Sequence, residues 1–277
     1  MKRAGVMGWP VAQSRSPAVH GFWLEYYQIA GSYELLPVPP DGLEAALRGL
    51  PERGFAGCNL TLPHKEHALA LLDRLDDTAR RIGAVNTVIV HADGSLEGRN
   101  TDGFGFHANL AASVPGWSAA AGPAVVLGAG GGAHAVAAAL IDHGVPELRL
   151  LNRHRARAEA LAAALGGRIA VLDWEARAAA LDGAALLVNT TSLGMVGHQP
   201  LALALDALPR TAVVNDIVYV PLETPLLAAA RARGNRTVDG LGMLLHQARP
   251  GFAAWFGVEP EVTPELRARI ERTLAAR

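Results

Sequence analysis

A short apolar run that ends in glycines and opens a helix constrains this chain more than any other stretch. Ala124-Val125-Val126-Leu127 has the length of a buried strand. Gly128-Ala129-Gly130-Gly131-Gly132-Ala133 follows, and then an alanine-rich helical pattern from His134 to His143. A G-x-G-x-x-A frame falls on Gly128, Gly130 and Ala133. The first glycine permits a tight turn, the second lets backbone approach a pyrophosphate, and the alanine lets the helix pack close to the strand. The helix N-terminus then offers free N–H groups and a positive dipole end to the phosphates. Taken alone, these glycines also fit an ordinary strand-to-helix turn.

The next strand candidate, Glu147 to Leu151, narrows the choice. A fold that binds NAD usually ends this strand with an acid that hydrogen-bonds the ribose 2′-hydroxyl. Here Asn152 stands in that place, followed by Arg153, His154, Arg155, Ala156 and Arg157. The guanidinium fork matches a phosphate, so the expected cofactor is NADP rather than NAD. A solvated basic helix start is the plainer account of the same residues.

With 277 residues, the length favours two domains. Half the residues are hydrophobic and the net charge is −1, which permits ordinary cores and gives no reason to expect a nucleic-acid partner. The single cysteine, Cys58, excludes an internal disulfide and suggests a reducing compartment. It lies in an apolar run and reads as a core filler. The N-terminus does not read as a signal peptide, and no stretch has the length and apolarity of a membrane span. The expectation is a cytoplasmic protein with a small-molecule substrate, no nucleic-acid or membrane partner and no metal site.

In the first half, strands are expected at Arg3–Gly8, Tyr33–Val38 and Gly54–Leu60. Ser16-Pro17 reads as a helix start, with serine as cap and a helix to about Ile29. Asp41 is expected to cap a short helix, and another helix lies near Asp77–Ile82. Asp93-Gly94 marks a hairpin between Thr87–His91 and Ser95–Gly98. Asp102 to Val114 reads as a helix. The stretch Pro115–Pro123 marks a domain junction. Beyond it, strands are expected at Val125–Leu127, Leu148–Leu151, Ile169–Val171, Ala185–Asn189, Val213–Asp216 and Arg236–Val238, stacked into a parallel sheet by right-handed crossovers. Helices follow at Gly240–Phe256 and Pro264–Ala276.

Four polar clusters stand where loops meet element ends: Ser14-Arg15-Ser16, Asn59-Leu60-Thr61 with Lys65, Gly83-Ala84-Val85-Asn86-Thr87, and Asn100-Thr101-Asp102-Gly103. Singly, each has a local account as a cap, turn or strand end. Together they supply hydroxyls, amides, a carboxylate and an ammonium, an inventory that suits a small polyhydroxylated acid.

These motifs, with Asn-Leu-Thr-Leu-Pro-His-Lys, Asn-Thr-Asp-Gly-x-Gly-Phe, Asn-Thr-Thr-Ser-x-Gly-Met, Asp-Ile-Val-Tyr-x-Pro-x-x-Thr-Pro-Leu-Leu and Asp-Gly-x-Gly-Met-Leu-x-x-Gln-Ala, occur in one order. In that order the chain resembles the shikimate dehydrogenase family over almost its full length. The resemblance implies an α/β architecture with an N-terminal α/β substrate domain, a C-terminal Rossmann-like NADP-binding domain and a cleft between them. We expect residues 1–114 to form the substrate domain, with the C-terminal helix from about 240–277 packing back on it, and residues 115–239 to form the NADP domain. Hinges are expected near 115–123 and at Asp239-Gly240.

The implied activity is the reversible NADPH-dependent reduction of 3-dehydroshikimate to shikimate in aromatic amino-acid biosynthesis. By the resemblance, Ser14 and Ser16 hold the substrate carboxylate with help from Tyr219. Thr61, Asn86, Asp102 and Gln247 hold ring hydroxyls, and Asn59 supports that wall. Lys65 and Asp102 are the implied catalytic pair. Gly128, Ala129, Gly130, Gly131 and Gly132 hold the pyrophosphate, and Asn152, Arg153, His154, Arg155, Ala156 and Arg157 the adenosine 2′-phosphate side. Thr190, Ile217, Gly240 and Met243 line the nicotinamide side. Asp77 is a cofactor contact in some members and also reads as a helix cap. Two positions depart from the family: His154 stands where threonine is frequent, and Ile217 where methionine is.

The chemistry asks for such a pair. Hydride transfer to a ketone builds negative charge on its oxygen, and an ammonium there stabilises the charge and donates the proton. Two alternatives remain at this level. One is a quinate/shikimate dehydrogenase with relaxed substrate or cofactor use; the other is a non-catalytic dinucleotide or metabolite sensor. The expected assembly is a monomer or a homodimer.

Overall fold

The computed structural model describes residues 1–275. The first half contains β1 (Lys2–Gly8), α1 (Ser16–Tyr26), β2 (Gly31–Pro37), α2 (Leu43–Arg48), β3 (Phe55–Leu60), α3 (His64–His67), β4 (Arg74–Leu75), α4 (Asp77–Ile82), β5 (Thr87–Val90) and β6 (Leu96–Arg99). Then follow α5 (Asp102–Ser113), β7 (Ala124–Leu127), α6 (Gly131–Asp142), β8 (Leu148–Leu151), α7 (Arg155–Leu165), β9 (Ile169–Leu172), β10 (Leu186–Asn189), β11 (Val213–Asp216), α8 (Pro225–Ala232) and β12 (Arg236–Val238). The chain ends in α9 (Leu241–Phe256) and α10 (Pro264–Ala275). Ala276, the expected last residue of that helix, lies outside the described residues.

The chain divides into two compact units, residues 1–101 with the chain from 245 onward, and residues 102–244. The expected division at 114/115 therefore differs from the observed one by the length of α5. That helix belongs with α6: Gly103 approaches so closely that a Cβ there would lie 3.0 Å from the Ala135 carbonyl oxygen. At the other end the division falls inside α9, between Leu244 and Leu245.

The first unit holds a six-stranded sheet in the order β2-β1-β3-β5-β6-β4. β1 pairs in parallel with β2 and β3, whereas β5 runs antiparallel to both β3 and β6. Alternation along the strands divides the faces. Met7, Cys58 and Leu60 share a core with Leu43 and Leu47 of α2. On the other side His20 and Trp23 of α1 meet Tyr33, Phe252 and Trp255 as a cluster of rings, and the Trp255 indole donates to the Val88 carbonyl at 3.0 Å. Cys58 is fully buried, and burial pushes its thiol well up, as befits a core residue.

The second unit holds a six-stranded, wholly parallel sheet in the order β12-β11-β10-β7-β8-β9. This is the doubly wound order, and it reverses between β7 and β10. Its central strands β7, β10 and β11 are buried along their whole length because both faces are covered, whereas the edge strands β9 and β12 are partly exposed. Val126, Val136, Leu140 and Leu150 lie in the core on one side, and Val125, Leu127, Leu187 and Leu227 in that on the other. No described helix is long and apolar enough to cross a membrane.

Several helix starts differ from expectation. Ser16 is the first helical residue of α1 rather than its cap, and its N–H is taken by the Ser14 hydroxyl at 3.3 Å. Pro17 stands one position later, where a missing N–H is still harmless. Asp41 sits inside a 3₁₀ turn, Pro40–Gly42, and Gly42 precedes α2. For α4 the cap is Asp76, whose carboxylate accepts from Ala79 N at 2.6 Å; Asp77 is one residue inside and pairs with Arg80. The helix after the glycine turn begins at Gly131, three residues earlier than expected, because Gly130 is extended and takes the cap position.

Candidate active site

In the first unit the candidate residues gather around the end of β3. Asn59 is buried near its end, Thr61 follows it, and Lys65 lies half-buried on the single turn of α3. That turn is held from three sides. Thr61 N donates to Met7 O at 2.9 Å, Val85 N donates to Lys65 O at 2.8 Å, and the buried His64 donates from Nε2 to Val38 O at 2.8 Å. A short helix would not hold its own shape, so these anchors fix where the lysine stem starts.

Asn86 and Asn59 are buried and engaged by the protein. Asn86 accepts the Thr101 N–H at 2.9 Å and donates to the Thr101 hydroxyl at 3.0 Å and to Gln247 Oε1 at 3.3 Å. Asn59 donates to Asn86 O at 3.0 Å and to the Thr87 hydroxyl at 3.2 Å, while its carbonyl accepts the Tyr33 hydroxyl at 2.6 Å. Burial raises the Tyr33 phenol well above its ordinary range, with the Ser16 side chain pulling the other way. The hydrogen-bonded framework thus links Ser14 to Ser16, and separately Tyr33 to Asn59, Asn59 to Asn86, and Asn86 to Gln247. Asp77 joins no such set; its side chain is fully exposed and on Arg80.

In the second unit the candidate residues stand at the carboxyl ends of the strands, where an open parallel sheet takes its ligands. Gly128 follows β7 with φ +113°, and a Cβ there would lie 2.5 Å from the Thr190 hydroxyl. Thr190 is itself fastened to the end of β7, donating from N and Oγ1 to Leu127 O at 2.9 and 2.7 Å. Gly130 and Gly131 have nothing within 4 Å of where a Cβ would stand. A Cβ on Gly132 would lie 2.8 Å from Ile217 Cδ1, and one on Gly240 2.1 Å from the Ile217 carbonyl oxygen. Ala133 is fully buried in the core beneath. The first turn of α6 has no side-chain cap, so its N–H groups stay available to an anion.

Beyond β8, Asn152 turns the chain by donating to His154 O at 2.9 Å. His154 takes the exposed cap position of α7, and Ala156 lies in its exposed first turn. Arg155 is engaged by Glu159 and Asp173 at 2.8 and 2.7 Å. Arg153 and Arg157 are exposed, and their side chains have no hydrogen-bond or ion-pair partner among the described residues. Asp102 opens α5, Tyr219 follows β11, and Met243 lies in the first turn of α9. Nothing in the sequence singles out Tyr33, His20, Asn189, Asp216 or Thr224. Tyr33 and His20 carry no motif signal. The other three stand inside quoted motifs, where a buried network is not visible from residue types.

The family description "Shikimate dehydrogenase substrate binding domain" matches residues 6–88, and "Shikimate / quinate 5-dehydrogenase" matches residues 110–199. A shikimate dehydrogenase (NADP+) of Paramagnetospirillum magneticum is 63% identical over 267 residues, covering 96% of this chain and 97% of its own. The chain belongs to the shikimate dehydrogenase family. A shikimate dehydrogenase (NADP+) of Rhodospirillum rubrum is 60% identical, with 96% of each chain covered. Among solved structures of the family, shikimate 5-dehydrogenase from Thermus thermophilus, in complex with NADP(H) and shikimate, is 40% identical with a TM-score of 0.87, covering 99% of this chain and all of its own. Quinate dehydrogenase from Corynebacterium glutamicum, in complex with NAD, is 33% identical with a TM-score of 0.90, covering 98% of this chain and 99% of its own.

Proposed function

We propose that this chain catalyses the reversible NADPH-dependent reduction of 3-dehydroshikimate to shikimate, in the cytoplasm, as a monomer or homodimer. The observation that carries the reading is 63% identity, over 96% of the chain, to an enzyme named for NADP+ and shikimate. The cofactor end of the second unit fits the same group. No acid follows β8, two arginines there have no partner among the described residues, and the glycine turn leaves open space at Gly130 and Gly131.

NADPH, when bound, supplies the hydride. Gly128 to Gly132 and the first turn of α6 would hold its pyrophosphate, and Arg153 and Arg157 its 2′-phosphate. Thr190, Ile217, Gly240 and Met243 would line the nicotinamide. Ser14 and Ser16 would hold the substrate carboxylate with Tyr219, while Thr61, Asn86, Asp102 and Gln247 would hold ring hydroxyls. Lys65 donates a proton to the ketone oxygen as negative charge grows there, and its own charge stabilises that oxygen. Asp102 orients the ammonium and holds the adjacent hydroxyl. In the oxidative direction the same lysine takes the proton back.

The test is turnover of purified protein with 3-dehydroshikimate and NADPH, repeated with Lys65→Ala. We expect shikimate as product, and kcat lowered by about 10²–10⁴-fold in the variant at nearly unchanged KM. Binding of both ligands without turnover would make the chain a sensor. A large KM rise at unchanged kcat would make Lys65 a binding residue only.

A further inference from the structure

The carboxylate of Asp216 is fully buried at the end of β11 and has no part in the chemistry above. It stands beside Asn189, its register partner at the end of β10. Asn189 donates from Nδ2 to Asp216 Oδ1 at 3.0 Å and to Leu193 O at 3.1 Å. The Asn189 carbonyl accepts from Thr191 N at 3.1 Å and from the Thr191 hydroxyl at 2.7 Å. An amide turned the other way would set its oxygen against the carboxylate. Asp216 therefore acts with Leu193 O and Thr191 N to fix which way Asn189 faces, and Asn189 in turn shapes the backbone from Thr190 to Leu193.

The same carboxylate brackets a second loop. Val218 N donates to Oδ1 at 3.1 Å, and the Thr224 hydroxyl donates to Oδ2 at 2.7 Å. Thr224 also caps α8 by accepting Leu227 N at 3.3 Å. The loop between those two contacts carries Tyr219, and Ile217 is anchored just before it by its N–H on Asn189 O at 3.0 Å. The two loops are joined again where Val196 N donates to Val220 O at 3.0 Å. One buried anion thus sets both loops, and Ile217 rests against Gly132 of the glycine turn.

We propose that Asp216 is a positioning residue: through Asn189 and Thr224 it holds Thr190 and Ile217 in the arrangement that receives the nicotinamide ring. This rests on the assignment of those two residues to the nicotinamide side. Burial raises the Asp216 carboxyl above its ordinary range, against the pull of Thr224, Asn189 and Val218. Asn keeps the shape of Asp216 but turns one acceptor oxygen into a donor, so the contacts from Asn189, Val218 and Thr224 cannot all be kept and the two loops are disturbed.

The experiment compares Asp216→Asn, Thr224→Val and Thr224→Ser. It measures steady-state kinetics with NADP+ and shikimate, the affinity for 2′,5′-ADP, which reports only the adenosine end, and Tm. Small displacements of a reacting group cost about 10²-fold in rate. Asp216→Asn should lower kcat/KM for NADP+ by about ten- to hundred-fold, with 2′,5′-ADP affinity within about two-fold of wild type and Tm within a few degrees. Thr224→Val should follow it, and Thr224→Ser should restore wild-type values. If Asp216→Asn does not fold, the Thr224 pair carries the test. Wild-type kinetics in both Asp216→Asn and Thr224→Val would overturn the inference, as would joint loss of turnover, 2′,5′-ADP affinity and Tm. A wild-type protein that binds neither NADP+ nor 2′,5′-ADP would remove the cofactor reading itself, and the inference with it.

Discussion

Asn86 and Thr101 complete one another: the asparagine carbonyl takes the threonine N–H at 2.9 Å, and the threonine hydroxyl takes the asparagine NH₂ at 3.0 Å. That hydroxyl donates in turn to Gln247 O at 2.8 Å, which ties the strand-end loop to α9. Asn86→Ala leaves a buried N–H without a partner. The expected loss is about 1–3 kcal/mol for the unsatisfied donor, read as a Tm lower by several degrees. An unchanged Tm would mean that the site relaxes around the missing amide. The effect should persist without any ligand, which separates it from a change in substrate KM.

Stability should fall in mild acid because of His20. The ring is fully buried and stacks on Tyr33 at 4.0 Å between centroids. Burial lowers its pKa to about 3, with Asn59 opposing in part. Neither ring nitrogen has a hydrogen-bond partner of good geometry among the described residues. The sign follows from the unfolded chain, where histidine titrates near 6.5. The stabilising contribution is complete above that pH and is lost as pH falls toward 3. At a pH of about 4.5 the loss from this group is roughly 2–3 kcal/mol. His246, lowered to about 4 chiefly by burial, adds in the same direction. Urea midpoints at about pH 7 and 4.5 should therefore diverge in wild type and draw together in His20→Phe. Equal divergence in both would place the acid sensitivity elsewhere.

The arginines after β8 should separate by function. Arg153 and Arg157 have no partner among the described residues, whereas Arg155 is held by Glu159 and Asp173. Arg153→Ala and Arg157→Ala should each raise KM for NADP+ by about ten- to hundred-fold and leave KM for NAD+ unchanged. Arg155→Ala should have little effect on either, since exposed pairs of this kind are worth about 0–1 kcal/mol. A loss with NADP+ confined to Arg155→Ala would relocate the phosphate clamp.

Two glycines of the turn should fail in different ways. Gly128 has φ +113° and packs on Thr190, so Gly128→Ala should lower both Tm and NADP+ affinity. Gly130 has φ −95° and open space around it, so Gly130→Ala should keep Tm and weaken NADP+ alone by crowding the approach to the pyrophosphate. Equal Tm losses in the two variants would contradict this division.

The second unit was the more legible half of the chain. Its central strands are buried on both faces, and Leu148–Leu151, Val213–Asp216 and Arg236–Val238 match the observed strands residue for residue. Helix starts were less legible, because Asp76 and Asp77, or Ser14 and Ser16, offer the same chemistry to the same backbone one or two residues apart. Residue types along the chain pointed to the polar candidates. They could not show that Asn59 and Asn86 are engaged by Tyr33, Thr87 and Thr101, since those partners come from other strands and loops. The Asp216 network was hidden for the same reason.

The most direct measurement of the central claim is the set of four specificity constants for shikimate and quinate, each with NADP+ and NAD+, on the purified wild-type protein. An NADP-dependent shikimate dehydrogenase predicts that shikimate with NADP+ exceeds every other pair by at least an order of magnitude in kcat/KM. Comparable constants with quinate or with NAD+, or no turnover with any pair, would contradict the account.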